Sequence, residues 1–162
     1  MKNKTSVSFL LNGEPVTVDF YEAGIKPSTT LLNWLRKDHH SEVKEGCAEG
    51  DCGACTVVIA EPDKSKKKLV YKAVNSCLLF LPMVDGKIVI TSRGLSGETT
   101  EADYLHPVQR SIVEAHATQC GFCTPGFVMS LFAMYRDGSE NSDEAINHAL
   151  AGNLCRCTGY DS

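Results

Sequence analysis

The sequence predicts an α+β fold in which a region containing a small sheet is followed by a helical region. Up to residue 93, short segments in which apolar and polar residues alternate are separated by turn signals, a pattern typical of strands. A polar, glycine-containing stretch follows at 92–103, and beyond it apolar residues recur at helical spacing. We therefore expect two domains, residues 1–93 and residues 94–162.

The first domain is expected to begin with a β-hairpin and to contain one helix. Two alternating segments, Ser6–Leu11 and 16–20, flank Asn12-Gly13, which is a strong two-residue hairpin signal. Apolar residues at helical spacing after a Ser/Thr start predict a helix over 29–36, with Trp34 in the core. Further strands are predicted at 56–60, 69–74 and 87–91.

The second domain is expected to be all-α, because no strand-like alternation follows the polar stretch. Proline begins two of its helices, 107–116 and 125–135, since the first helical position needs no backbone N–H. Ser142 is expected to cap a third helix, which ends near Gly152.

Composition and charge exclude several classes of protein. With 43% hydrophobic and 22% charged residues, the chain has the composition of a globular protein and not of a disordered one. The formal net charge is −4 and no basic stripe could follow phosphates, so we expect no nucleic-acid partner. The longest apolar run, 77–84, is too short to span a bilayer, and no signal-peptide core is visible. We therefore expect a cytoplasmic protein with no membrane partner.

Eight cysteines are the most informative feature of the sequence. They occupy positions 47, 52, 55, 77, 120, 123, 155 and 157. In a secreted chain an even number would suggest four disulfides, but disulfides are rare in a reducing compartment. Clustered cysteines in such a compartment are more often metal ligands or redox groups, and these eight divide evenly between the two expected domains.

The first four cysteines have the spacing of a plant-type [2Fe–2S] site. A Cys-x4-Cys-x2-Cys run is followed by a fourth cysteine after 21 residues, which gives Cys47, Cys52, Cys55 and Cys77. Three thiolates on one tight loop can surround one side of a cluster, while the fourth closes the cage from a separate element. Structural zinc is the alternative occupant of such a site.

Small residues are interleaved with these cysteines. A cluster ligated by thiolates stays anionic, so backbone N–H groups must approach its sulfurs closely, and residues without a large side chain permit that approach. Gly46, Gly50 and Gly53 are therefore the candidate cofactor-binding residues of the loop.

The other four cysteines flank the ends of two predicted helices. They are Cys120, Cys123, Cys155 and Cys157. Their spacing does not separate an iron–sulfur cluster from zinc, and His116 could be a further zinc ligand, although a polar position on a helix face explains His116 more simply. The Cys-x2-Cys pairs also match a thioredoxin-like motif, but that motif lies between a strand and a helix, whereas the residues before Cys120 are predicted to be helical.

Four ordered runs resemble the xanthine dehydrogenase (molybdenum hydroxylase) family, and together they extend over nearly the whole chain. Two of them surround the first four cysteines: EGCAEGDCGACT at 45–56 and AVNSCL at 73–78. Two surround the other four: QCGFCTPG at 119–126 and GNLCRCTGY at 152–160. Within the family, the charged link at 61–68 and the stretch at 75–86 look most like the xanthine dehydrogenase branch.

The resemblance implies an iron–sulfur electron-transfer component of an oxidoreductase. It implies a β-grasp ferredoxin-like domain with one [2Fe–2S] cluster and a four-helix bundle with a second, each held by four of the cysteines. In the family, substrate is hydroxylated at molybdenum and electrons pass through both clusters to FAD. FAD and molybdopterin are therefore expected in partner subunits or domains, with Gln119 next to the pterin, and no small-molecule substrate is expected on this chain.

Other functions are compatible with parts of the pattern. The chain could serve a related aldehyde or heterocycle hydroxylase instead of a xanthine dehydrogenase. A structural zinc-binding interaction module and a thiol–disulfide enzyme are alternatives from other classes. Iron content separates the zinc module and the thiol–disulfide enzyme from an iron–sulfur electron-transfer component.

Ala48 departs from the family pattern, which often has glycine at this position. A methyl group fits there only if the residue has a negative φ or if it lies away from the cluster. We therefore expect one of these two arrangements at Ala48.

Overall fold

The computed structural model describes residues 5–22, 24–96, 104–138, 140–157 and 159. Its strands are β1 (Ser6–Leu11), β2 (Glu14–Asp19), β3 (Thr56–Pro62), β4 (Leu69–Asn75) and β5 (Ile88–Ile90). Its helices are α1 (Leu31–Lys37), α2 (Arg93–Ser96), α3 (Pro107–Glu114), α4 (Thr124–Asp137) and α5 (Asp143–Leu150). Two 3₁₀ turns, Ser76–Leu78 and Leu81–Val84, connect β4 to β5. We call the five strands with α1 the sheet half, and α2 to α5 the helical half; the α+β class is confirmed.

The five strands form one mixed sheet with the order β2-β1-β5-β3-β4. Strands β1 and β5 are parallel, and the other neighbouring pairs are antiparallel. The predicted hairpin between β1 and β2 is confirmed. Asn12 and Gly13 adopt φ angles of 53° and 95°, the left-handed pair that a two-residue turn of this kind requires.

Helix α1 covers one face of the sheet and forms the first core. The side chain of Thr30 accepts the backbone N–H of Asn33 and caps the helix. Leu31 and Leu35 are fully buried against the sheet, and Trp34 meets Phe9 edge to face with ring centroids 5.5 Å apart. The prediction that Trp34 lies in the core is therefore confirmed.

Strand β3 is buried on both faces and joins the two halves. Side chains alternate across a strand, so Val57 and Ile59 enter the core beneath α1 while Val58 points to the opposite face. There Val58 packs against Val128 and Met129 of α4, which form a second core. The helical half therefore lies on the face of the sheet that α1 leaves open.

Aromatic contacts fix one end of the interface between the sheet and α4. The guanidinium of Arg136 lies 4.5 Å from the centroid of the Tyr71 ring and donates a hydrogen bond of 2.8 Å to its hydroxyl. The ring of His106 meets those of Phe132 and Tyr135 edge to face, both at 5.1 Å between centroids. Nδ1 of His106 also accepts the Val108 N–H and so caps α3. Neutral His106 therefore caps α3 and also packs against the rings of Phe132 and Tyr135.

The region predicted to be a polar linker contains a short helix, α2, and residues 97–103 of it lie outside the described part of the chain. Gly94 in α2 lies so close to the Asn12 side chain that a Cβ there would overlap it. The region thus begins by packing onto the β1–β2 turn. In the described ranges, no helix combines the length and the apolar character that a membrane crossing requires.

We predict that His106 makes the stability of the fold depend on pH. Burial and, after it, the positive charge of Arg136 hold the pKa of His106 below its usual value, so the folded state disfavours protonation. The unfolded chain protonates first as the pH falls below about 6.5, and the free energy of unfolding should decrease from there until the pH passes the lowered folded-state pKa.

Chemical denaturation at a series of pH values checks this prediction. His106→Asn keeps a capping side chain without a titrating group, so its loss of stability on acidification should be smaller than that of the native chain. The exposed His39→Asn is the matched control and should follow the native curve in its slope. Equal slopes for native chain and His106→Asn would contradict the prediction.

Candidate metal centres

The first four cysteines meet between the loop that precedes β3 and the 3₁₀ turn that follows β4. Cys55 is buried one residue before β3, and Cys77 is buried in the turn Ser76–Leu78. Ser76 connects the two segments, because its backbone N–H and its hydroxyl both donate to the carbonyl of Cys55, at 3.3 and 2.7 Å. The loop and the turn are thereby fixed side by side, which brings the fourth cysteine to the other three.

Backbone N–H groups of the loop point at its sulfur atoms. The N–H of Cys47 donates to Sγ of Cys52 at 3.3 Å, and the N–H groups of Cys52 and Glu49 donate to Sγ of Cys47 at 3.3 and 3.5 Å. The bonds from Glu49 and Cys52 lower the pKa of Cys47 to about 7. The loop therefore stabilises negative charge on sulfur before any cation is present, as a thiolate-ligated cluster requires.

The three candidate glycines are sterically required, each for its own reason. A Cβ on Gly46 would lie 2.8 Å from Sγ of Cys52, so a side chain there would fill the space beside the sulfur. Gly50 and Gly53 have φ angles of 91° and 68°, where an L-residue is strained. A Cβ on Gly50 would also overlap the Leu78 side chain, and a Cβ on Gly53 would overlap the backbone carbonyl of Gly152 in the helical half.

Ala48 does not take the first of its two expected arrangements, a negative φ. Its φ is 59°, in the left-handed region that glycine tolerates better than alanine. The residue is exposed, so its methyl group meets solvent and the loop accommodates it.

The second four cysteines meet where the loop before α4 approaches the segment after α5. All four line one cavity of about 410 Å³: Cys120, Cys123, Cys155 and Cys157. His116 and Gln119 line the same cavity. His116 has a φ of 49° and follows the end of α3, so the interpretation of a position on a helix face is wrong.

The eight sulfur atoms are arranged in four pairs. Cys120 and Cys157 have their Sγ atoms 3.3 Å apart, and in each of the other three pairs the two side chains interact closely enough to shift a cysteine pKa. These are Cys47 with Cys52, Cys55 with Cys77, and Cys123 with Cys155. No disulfide joins the eight, all of which belong to the described residues.

The pairing suits two-iron clusters. A [2Fe–2S] cluster takes four protein ligands, two on each iron, whereas a structural zinc ion draws four ligands to one point. The donor set, with two sulfur pairs in each region, therefore fits a [2Fe–2S] cluster better than zinc.

Burial distinguishes the pairs of each set. Burial, followed by the contact with Cys55, raises the pKa of Cys77 to about 12, and burial with the contact to Cys155 raises that of Cys123 to about 11. By contrast, the backbone N–H of Phe122 helps to lower the pKa of Cys120. Cys77 and Cys123 thus need the positive charge of a bound metal to lose their protons.

The thioredoxin-like alternative fails on the same geometry. In the described chain no strand leads directly into the Cys120–Cys123 run, since α3 ends at Glu114 and a loop follows. Cys120 also has its sulfur contact with Cys157, and not with the other cysteine of its own Cys-x2-Cys pair.

The two cysteine-bearing regions are in direct backbone contact. The N–H of Leu154 donates to the carbonyl of Cys52 at 3.0 Å, although the two residues belong to different halves. Asn153 is buried beside this bond and donates to the Gly53 carbonyl, while Ser130 of α4 donates to Asn153. Sequence reasoning missed Asn153 and Ser130; the signal was the presence of Asn153 in the fourth family-like run, between Gly152 and the cysteines.

Comparison with known proteins agrees with this geometry. The family model described as "2Fe-2S iron-sulfur cluster binding domain" matches residues 11–81, and the one described as "[2Fe-2S] binding domain" matches residues 91–162. Xanthine dehydrogenase of Emericella nidulans is 43% identical over 155 residues, which cover 96% of this chain and 11% of that protein. Aldehyde oxidase 2 of Mus musculus is also 43% identical, over 95% of this chain and 11% of its own length.

This chain covers a larger share of one solved structure than of the curated relatives. Quinoline 2-oxidoreductase from Pseudomonas putida 86 matches with a TM-score of 0.74 and 31% identity, over 96% of this chain and 85% of that chain. The present chain thus spans about a tenth of the length of the curated relatives but most of one solved chain. With two [2Fe–2S]-binding domains and 43% identity to a xanthine dehydrogenase over 96% of its length, the chain belongs to the xanthine dehydrogenase family of molybdenum hydroxylases and is its iron–sulfur region.

Proposed function

We propose that this chain transfers single electrons within a molybdenum hydroxylase of the xanthine dehydrogenase type. The observation that carries the proposal is the division of the eight sulfurs into two sets of two pairs, one set on each side of a direct backbone contact. The chain itself performs no bond-making on substrate in this proposal. Its task is to hold two redox groups in fixed positions within one rigid unit.

We assign the ligands by region. Cys47, Cys52, Cys55 and Cys77 would hold one cluster in a domain formed by residues 1–93. Cys120, Cys123, Cys155 and Cys157 would hold the other in a domain formed by residues 94–162. Each [2Fe–2S] cluster, when bound, takes up and releases one electron. The protein contributes the sulfur ligands, the N–H groups directed at Cys47 and the exclusion of water around Cys55 and Cys77, all of which influence the reduction potential.

The exposed Cys120–Cys157 pair and Gln119 suit a contact with a further redox group. We propose that Gln119 lies next to a molybdopterin held by a partner subunit or domain, and that FAD is held by another. The length of the curated relatives supports the existence of such partners, because this chain corresponds to about a tenth of it. The xanthine dehydrogenase of Emericella nidulans and the aldehyde oxidase 2 of Mus musculus are both 43% identical to this chain, so the choice of a xanthine dehydrogenase rests on the resemblance in the segments around β4.

We also propose a cytoplasmic location, because all eight cysteines must stay reduced to accept iron. Cell fractionation followed by detection of the chain tests the location directly. Recovery of the chain outside the cytoplasm with oxidised cysteines would overturn it.

We predict that substituting a cysteine in one set removes one cluster and leaves the other. The native chain should contain about four irons, and Cys77→Ser or Cys123→Ser should each retain about two, because each set ligates its own pair of irons. Iron and acid-labile sulfide analysis measures the loss, and the EPR spectrum of the reduced protein identifies which cluster remains.

The two variants serve as controls for each other. Cys77→Ser and Cys123→Ser should retain complementary EPR signals whose sum resembles the native spectrum. Full iron content in either variant would contradict the ligand assignment. A native chain that takes up zinc but neither iron nor sulfide would overturn the proposed function itself.

We predict that Ala48→Gly stabilises the first cysteine loop. Relief of the left-handed strain at residue 48 should exceed the extra backbone entropy that glycine loses on folding, for a net gain of about 0.5 to 1 kcal/mol in the free energy of unfolding. Ala73→Gly, on the exposed strand β4, is the matched control and should destabilise the chain by about the same amount. Thermal denaturation of the iron-loaded protein compares them, and destabilisation by Ala48→Gly would refute the prediction.

A further inference from the structure

We propose that Asn153 is a positioning residue for electron transfer between the two clusters. Its side-chain amide holds the two cysteine-bearing segments at one fixed separation. The inference rests on the proposed function, since it takes the eight cysteines as the cluster ligands. It goes beyond that function by assigning a role to a residue that ligates nothing.

The amide of Asn153 is bonded on both sides. Nδ2 donates to the carbonyl of Gly53 at 3.1 Å and reaches Oγ1 of Thr56 at 3.4 Å, both in the sheet half. Oδ1 accepts the hydroxyl of Ser130 in α4 at 2.6 Å. Asn153 and Ser130 are 8% and 5% exposed, so water does not compete effectively for these bonds. One small side chain thus joins the first cysteine loop, the start of β3 and the main helix of the helical half.

No other side chain of this size can make the same bonds. The Gly53 carbonyl only accepts, so it requires a donor, which fixes the orientation of the amide. The opposite end must then accept from Ser130. An aspartate of equal shape lacks the donor, and an alanine or leucine lacks both groups. The requirement for a donor and an acceptor at opposite ends of a planar group selects asparagine at position 153.

Glycine contacts leave no room for adjustment around this amide. A Cβ on Gly126 of α4 would overlap the Gly53 carbonyl, and a Cβ on Gly53 would overlap the Gly152 carbonyl. The two halves therefore meet backbone against backbone here. At these two glycines, a change in the separation of the halves must therefore move backbone atoms.

A short connection between the two sets of ligands runs beside Asn153. The N–H of Leu154 donates to the Cys52 carbonyl at 3.0 Å, and Leu154 is bonded covalently to Cys155. Residue 153 precedes this donor directly, and Gly53, the acceptor of the Asn153 amide, follows Cys52 directly. The Asn153–Gly53 and Leu154–Cys52 hydrogen bonds are therefore adjacent and join the same two segments. Loss of the Asn153–Gly53 bond frees the segment that carries Leu154 and Cys155 to move relative to the Cys52 loop.

EPR of the fully reduced 162-residue chain with both clusters bound tests the inference. Two paramagnetic clusters split each other's signals with a strength that falls steeply with their separation, and mere loss of stability does not alter this splitting in molecules that stay folded. Asn153→Asp should retain the full iron content but lose the splitting. The exposed Asn147→Asp on α5 is the matched control for the charge change and should keep the native spectrum.

The outcomes separate the inference from the proposed function. Absence of iron in the native chain overturns the proposed function. Full iron content with native splitting in Asn153→Asp overturns the inference alone, as does a native chain with both clusters and no splitting. If Asn153→Asp loses iron, the Ser130→Ala variant provides the test. It removes the donor to Oδ1 of Asn153 and should weaken the splitting while the iron content stays full. Native splitting in Ser130→Ala, or loss of iron in both variants, counts against a positioning role.

Discussion

The structure depends on one backbone carbonyl, that of Gly53, where the two halves meet. It accepts the N–H and the hydroxyl of Thr56, at 3.1 and 2.7 Å, and the amide of Asn153 at 3.1 Å. The first two bonds fix the loop that carries Cys52 to the first residue of β3, and the third fixes both to the helical half. A buried carbonyl with three donors is costly to disturb, so the cysteine loop has one position relative to both halves.

The sheet extends this constraint across the molecule. Strand β3 presents Val57 to the core under α1 and Val58 to the core under α4, so neither core is complete without the strand that leaves the Gly53 loop. The contact of Arg136 with the Tyr71 ring and the edge-to-face contacts of His106 fix the far end of the same interface. Two regions fixed at both ends of a shared strand move as one body, and an electron relay needs fixed distances between its redox groups.

Local rules of sequence predicted the elements well because each depended on a few neighbouring residues. Asn12-Gly13 determined the hairpin, and prolines correctly indicated the starts of two helices, Pro107 at the first position of α3 and Pro125 at the second position of α4. Spacing could not separate iron from zinc at the second set, since the pairing of Cys120 with Cys157 arises only when distant segments meet. Asn153 was missed because a polar residue after a helix is usually exposed, and its burial follows from contact with Gly53 and Ser130. Gly152 follows α5 as expected but does not take the left-handed conformation of a helix-ending glycine.

The central claim is that each half holds a pair of irons, bound through two pairs of cysteine sulfurs. Mössbauer spectroscopy of chain loaded with ⁵⁷Fe, before and after full reduction, tests it most directly. We expect only ferric iron in the oxidised protein and conversion of half of it to ferrous iron on reduction, because each two-iron cluster accepts one electron. Iron that is entirely mononuclear, and is therefore reduced completely, would contradict it.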